Sequence, residues 1–404
     1  MIRSKRFGPG LLVTAAFIGP GTVTTATTAG AKFGLALLWV VLFSILATII
    51  LQEMSARLGL VTRRGLGEAL RGAFANRFLR AATIGLIVGA IAFGNAAFQT
   101  GNITGATMGL SALTGLSGPG WAVIVGLAAA AFLWTGTYQT IERLLIALVA
   151  LMSVVFVLTA CLSRPSVRAI AEGLLLPTMP VGSLTPLIAL IGTTVVPYNL
   201  FLHASSVREK WSEAVPVERA LRESRWDTVI AVALGGLVTM AIVVTAAAFF
   251  RRGTAVDSAS TMALQLEPAL GRWAGWFFAA GLLSAGLTSA VTAPLAAAYA
   301  TAGAMGWPMD LRSRRFRAVW LAVIIAGTAF AIALGKTPVA AILFAQAANG
   351  LILPVVAVFL LIVVNRRSIL GAYANGFLAN ALGGAVILFA AALGFYRIGT
   401  TIGP

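Results

Sequence analysis

The stretch IGTTVVPYNLFLHAS, residues 191–205, decides the fold. It lies inside an apolar run, 183 to 206, that is long enough to cross a bilayer as a helix, about 20 residues being needed. Yet Pro197 stands near its centre, with Thr193, Thr194, Tyr198 and Asn199 around it. Proline has no amide hydrogen to donate and its ring displaces a carbonyl one turn back, so a helix does not run through it unbroken. At membrane depth such a break is tolerated only where the freed backbone is buried in protein or lines a polar cavity. A second interruption, Gly19-Pro20-Gly21-Thr22, stands in the run from 10 to 31, and the two prolines are 177 residues apart. Two broken helices at matching places in two halves point to a transporter's binding site.

The composition agrees. Of 404 residues, 59% are hydrophobic and 10% charged, with a mean hydropathy of +0.95, where a soluble domain carries about 25% charge. The chain is a polytopic membrane protein. A net charge of +17 would suggest nucleic acid in a soluble chain. Here the basic residues sit in short loops between apolar runs, so membrane orientation explains them and no nucleic-acid partner is expected. The single cysteine, Cys161, lies in an apolar stretch and reads as inert packing; it excludes a disulfide framework and any cysteine-based metal centre within the chain. The start, MIRSKRFGPG, is basic like a signal peptide, but the apolar run behind it continues through Gly19-Pro20 without a small-residue cleavage site. It reads as the first membrane helix.

Apolar runs fall at 10 to 31, 36 to 56, 81 to 113, 120 to 140, 143 to 163, 183 to 206, 228 to 250, 273 to 305, 318 to 335, 339 to 364 and 374 to 396. The expectation is an all-α membrane protein of eleven spans. The broken helices open two five-helix halves, 1–163 and 183–364, arranged as an inverted repeat, with the span 374–396 added. With the N-terminus inside, 21 of the 29 Lys and Arg residues fall in inner segments. The positive-inside rule therefore predicts a cytoplasmic N-terminus and an extracytoplasmic C-terminus in the inner (plasma) membrane. The basic loop from 61 to 80 has apolar residues at helical spacing and predicts a short interfacial helix against anionic headgroups.

Four stretches carry a resemblance: residues 8–42 with 51–62, residues 191–205, GLLSAGLTSAVTAPLAAAYATAGAMGW at 281–307, and AAILFAQAANGLILPVVAVFLLIVVNRR at 340–367. Together they resemble the natural resistance-associated macrophage protein (NRAMP) family of divalent-metal transporters. The resemblance spans nearly the whole chain and implies that family's LeuT-like arrangement of eleven helices. It also implies where metal ligands would stand. The family's first-helix Asp and Asn fall at Gly19 and Thr22, its sixth-helix Met at Val196, the histidine after the sixth-helix proline at Tyr198, and an acidic residue of the third helix at Asn102.

A transition metal stripped of water needs carboxylate, imidazole or sulfur donors. Gly19 and Val196 supply no side-chain donor, and Thr22 and Tyr198 only neutral oxygens, so manganese or iron transport is rejected at this stage. What remains is a neutral hydrogen-bonding set: Gly19, Thr22, Gln99, Asn102, Val196, Tyr198, Asn199, Gln346 and Asn349 around the breaks at Pro20, Gly21 and Pro197. Hydroxyl and amide groups with an aromatic wall suit an uncharged polyol. Small residues, Gly19 and the series Gly94, Gly101, Gly105, either make room for a solute or let helices pack closely. His203, the single histidine, with Thr288 and Ser289, are candidates for gating or ion coupling.

The expectation is therefore a secondary transporter of a small neutral solute, a monosaccharide such as glucose, working by alternating access. It would need no cofactor and no resident metal, and coupling to sodium or protons is left open. The alternative is a divalent-cation carrier for hydrated magnesium, since magnesium dehydrates reluctantly and travels with waters attached. A sensor that kept the fold is a third reading. An enzyme is not expected, because no nucleophile, base and orienting group converge.

Overall fold

The computed structural model describes residues 19–116, 119–136 and 139–402. The stretch 1–18, with the basic start and the first half of the first expected span, lies outside them. Among the described residues the chain is helical throughout. The helices are α1 (Pro20–Phe33), α2 (Leu38–Thr62), α3 (Leu66–Ala73), α4 (Arg77–Thr114), α5 (Pro119–Thr135), α6 (Gln139–Leu162) and α7 (Val167–Leu175). There follow α8 (Leu184–Thr194), α9 (Pro197–Lys210), α10 (Val217–Phe249), α11 (Ala274–Met305), α12 (Arg314–Ala333), α13 (Pro338–Val364) and α14 (Phe377–Ile402).

Nine helical segments among the described residues are long and apolar enough to cross a membrane, α8 and α9 together making one of them. The shorter apolar helix α5 and the helix α1 stand where two further spans are expected. At 38 residues α4 is about 57 Å long, nearly twice the hydrocarbon thickness, so it extends beyond the membrane.

The break at Pro197 is present, and the described part of the first span begins at the other proline, Pro20. Pro197 occupies the first position of α9, and the chain between α8 and α9 passes through Val195 (φ −94°, ψ 69°) and Val196 (φ −77°, ψ 119°), neither helical. Pro20 likewise opens α1, with Gly19 extended before it at φ −109°, ψ −176°. In both places proline sits where a helix's first amides have no partner in any case, so the break costs least there.

Large apolar side chains stand on the outside as well as in the core, and a set of polar side chains is buried within. Leu86, Phe93, Leu127, Leu234, Phe344 and Leu388 stand exposed on the flank, while Thr22, Thr24, Thr25, Gln99, Asn102 and Gln346 are wholly buried. α4 is the central post, packed against α11, α12 and α13, and α8 packs against α13. Small residues let these backbones meet. A Cβ placed on Gly105 of α4 would lie 2.1 Å from Pro20 Cβ, and one on Gly192 of α8 would lie 1.9 Å from the Gln346 carbonyl oxygen on α13.

Two surface expectations change. The helix of the basic loop is α3, but its apolar face, Leu66, Ala69, Leu70 and Ala73, is buried in the protein core instead of lying on headgroups. A Cβ on Gly67 would come within 2.7 Å of the Ala304 amide of α11, which shows how closely α3 docks. Cys161, expected as internal packing, is exposed.

Candidate functional site

The two breaks meet directly. Thr22 Oγ1 on α1 and Thr193 Oγ1 on α8 share a 2.8 Å hydrogen bond, buried from solvent. A Cβ on Gly19 would sit 2.9 Å from Ser289 Oγ of α11 and 3.9 Å from Asn102 Oδ1 of α4, and one on Gly21 would sit 2.2 Å from Gln346 Nε2 of α13. Gly101 of α4 faces the same amide, at 3.2 Å from its would-be Cβ. Side chains from α4, α11 and α13 thus converge on the start of α1. The ring of Tyr198 stands edge-on to Phe98 of α4, centroids 5.4 Å apart, which ties α9 to the same post.

The polar atoms of this cluster are unusually idle. Asn102 Oδ1, Ser289 Oγ, Tyr198 Oη, both amide atoms of Asn199 and both of Gln346 are buried with no hydrogen-bond partner in the protein. Thr24 and Thr25 hydroxyls, which could have bonded back to their own helix, are also without one. Buried polar groups are normally paired, and leaving one unpaired costs about 1–3 kcal/mol. A concentration of them at the two breaks marks a place built to be satisfied by something other than protein.

The remaining candidates separate from this set. Gln99 is already used: its Nε2 donates to the Ala290 carbonyl of α11 at 3.0 Å, and its Oε1 accepts from Asn102 Nδ2 at 3.3 Å. It orients Asn102 and braces α4 against α11. Val196 offers only an apolar, buried side chain at the break. Asn349 is buried on α13 with its Nδ2 unpaired, and its Oδ1 lies 3.1 Å from the would-be Cβ of Gly94. Thr288 bonds back to the Ser284 carbonyl at 2.8 Å, so of the adjacent pair only Ser289 faces Gly19. His203 is buried, its Nε2 3.2 Å from Thr228 Oγ1 of α10, a structural tie between α9 and α10. Gln52 of α2, 2% exposed with Oε1 unpaired, was not foreseen, and its one signal was a lone amide inside an apolar span.

At one end of the molecule the helices are tied to each other by charge. Glu53 of α2 pairs with Arg57 at 3.2 Å and with Arg225 of α10 at 2.9 Å, while Arg57 also donates to Asn375 Oδ1 at 2.7 Å. Arg208 of α9 pairs with Glu68 of α3 at 3.0 Å. Glu53 is the hub of this network.

A family model described as natural resistance-associated macrophage protein-like matches residues 10–400. The chain belongs to the NRAMP family. Among its NRAMP relatives is a protein of Verminephrobacter eiseniae named divalent metal cation transporter MntH, 30% identical, the match covering 91% of this chain and 83% of the relative. Another of the same name, from Klebsiella pneumoniae, is 28% identical over 100% of this chain and 96% of its own length. The NRAMP fold is also seen in a crystal structure of a mutant manganese transporter of Eremococcus coleocola. It superposes with a TM-score of 0.80 at 22% identity, covering 97% of this chain and 86% of that one. The LeuT-like arrangement expected from the resemblance therefore holds.

The expectation of a sugar, and of sugar symport, is overturned. The NRAMP relatives are named for divalent metal cations, and the geometry removes the argument that favoured a larger solute. Gly19, Gly21, Gly101 and Gly105 do not open space: each faces a neighbouring side chain within 3.2 Å of where its Cβ would be. They are close-packing residues.

The idle hydroxyls allow a direct check. Tyr198→Phe removes an oxygen that is buried, 1% exposed as a residue, and unpartnered. The variant is expected to be more stable by about 1–2 kcal/mol, because the desolvation penalty of that group disappears. Thermal melts in detergent measure this, and a clear loss of stability would mean the hydroxyl is paired after all.

Proposed function

We propose that this protein is a divalent-cation transporter of the NRAMP-related type, carrying magnesium with part of its hydration shell through the polar cluster at the two breaks. The observation that carries this reading is the idle, neutral-oxygen cluster of Asn102, Ser289, Asn199 and Gln346 in a chain of this family. Among the described residues no three His, Cys, Asp or Glu side chains gather to grip a bare ion. Amide and hydroxyl oxygens can instead accept hydrogen bonds from the waters of an ion that gives them up reluctantly. The names of the relatives support a divalent cation, and the absence of thioether and imidazole at Val196 and Tyr198 favours a hard ion over a soft one.

In this reading the two halves, 1–163 and 183–364, move about the cluster to expose it alternately, and no bond-making chemistry is involved. The distribution of Lys and Arg supports an inner-membrane placement with a cytoplasmic N-terminus. The test is flux into proteoliposomes holding a magnesium-sensitive dye, with manganese and radiolabelled glucose run in parallel. Saturable magnesium entry is expected. Asn102→Leu, which keeps the volume and removes the oxygen, should cut it at least tenfold while the melting temperature holds. Glucose entry without entry of either cation would overturn the reading.

A further inference from the structure

A second polar feature lies on the other side of α11. A cleft of about 230 Å³ between α5, α6 and α11 is lined by Glu142, Thr288 and Thr292, with Phe132 forming part of its apolar wall. Much of that volume opens to the outside, and the room left for the centre of a water molecule is about 10 Å³, enough for about one water. Glu142 differs from Glu53. Where Glu53 is held by two arginines, Glu142 takes part in none of the ion pairs or hydrogen bonds found among the described residues. Arg143, next to it in the chain, is exposed and acts on the carboxylate only through its charge, without an ion-pair contact.

The two threonines add a specific chemical character. Thr288 Oγ1 donates to the Ser284 carbonyl at 2.8 Å, and Thr292 Oγ1 donates to the Thr288 carbonyl at 3.2 Å. Each hydroxyl has spent its one proton on its own helix. What Thr288 and Thr292 can turn to the cleft is therefore oxygen lone pairs. Beside the Glu142 carboxylate they complete a set made only of acceptors, which a cation or the waters around it satisfies and an anion does not. One carboxylate, two hydroxyl oxygens and room for about one water suit a hard divalent ion bound loosely, since a single carboxylate leaves half its charge uncompensated.

The place of this cleft in the fold gives it a role. Thr288 adjoins Ser289, whose Oγ is 2.9 Å from the would-be Cβ of Gly19. Successive residues of a helix point about 100° apart, so one turn of α11 has one face at the cluster and the next face at the cleft. We propose that Glu142, Thr288 and Thr292 form a second divalent-cation site, a station outside the cluster at the breaks through which the ion is gathered or released. The proposal rests on the cation-transport reading for its role, but not for its chemistry.

A purely structural role is the competing account: Glu142 lies in the first turn of α6, where a carboxylate favours the helix dipole. Counting bound Mn²⁺ on the full-length, detergent-solubilised protein by the paramagnetic resonance of the free ion separates the two, Mn²⁺ serving as a hard oxygen-seeking probe. Wild type is expected to show two classes of site. Glu142→Gln should lose one of them, with at least a tenfold fall in affinity, and Thr292→Val should weaken the same one several-fold. Equal Mn²⁺ binding by wild type and Glu142→Gln, with or without a change in melting temperature, would overturn the site. Flux by the wild type reports separately on transport. Cation flux with unaltered binding in Glu142→Gln sinks the second site alone, whereas Glu142-dependent binding without any flux keeps the site and sinks the transport reading.

Discussion

Gly192→Ala is expected to be the most damaging single methyl in this protein. The added Cβ would lie 1.9 Å from the carbonyl oxygen of Gln346, and its neighbour at 2.5 Å is the Gly350 amide, both backbone atoms that no rotamer change can move. The contact is mutual, since a Cβ on Gly350 would meet the Ile188 carbonyl at 2.6 Å. Helices α8 and α13 therefore have to separate along this line. Overpacking of this kind costs about 3 kcal/mol or more, and the melting temperature should fall by roughly 5 °C or more. Transport should be lost even where the fold survives, because Gln346 is carried away from Gly21. Gly384→Ala on α14 is the control: nothing lies within 4 Å of its would-be Cβ, so it should melt like wild type. A wild-type melt for Gly192→Ala would mean that the two helices do not approach as described.

Gly19→Asp tests the site by its chemistry. The substitution places a carboxylate beside Ser289 and Asn102, in a region where every named oxygen is neutral. Its Cβ would lie 2.9 Å from Ser289 Oγ, the far end of a short side chain that can rotate away. A unit charge about 4 Å from a cation is worth about 4 kcal/mol at an effective dielectric of 20, from which desolvation of both partners subtracts. A tenfold or greater tightening for divalent cations is expected, equivalent to about 1.4 kcal/mol. Turnover should fall as release slows. Magnesium and manganese should tighten together, because a hard carboxylate does not separate them and Val196 supplies no thioether. Titration calorimetry and flux saturation measure both effects, and the double variant with Ser289→Ala removes the steric objection. An unchanged affinity in both variants would remove Gly19 from the ion's path.

Much of this was legible before any coordinates. Pro20 and Pro197 announce both breaks because proline's missing amide and fixed φ act locally, whatever the surroundings. Asn102 and Gln346 announce themselves as buried amides within apolar spans. What could not be read is which amide is free. Gln99 and Asn102 lie three residues apart on one helix face, yet Gln99 is spent on a carbonyl 191 residues away. The glycines were ambiguous for the same reason: whether Gly19 makes a cavity or closes one depends on Ser289, 270 positions later. The sugar reading failed on a different point. It took missing carboxylates as proof of a neutral cargo, whereas an ion that keeps its water shell presents hydrogens, not bare charge, to the wall around it.

The bond between Thr22 and Thr193 has one more consequence. A carrier for ions sits in a membrane under voltage, and each elementary charge that slips through releases about 2.3 kcal/mol per 100 mV. An empty carrier must therefore be watertight more strictly than a full one. This hydroxyl pair fastens the start of α1 to the end of α8, so neither can move away from the other without breaking it. Under the proposed cation transport, an ion passing between α1 and α8 has to break that bond first.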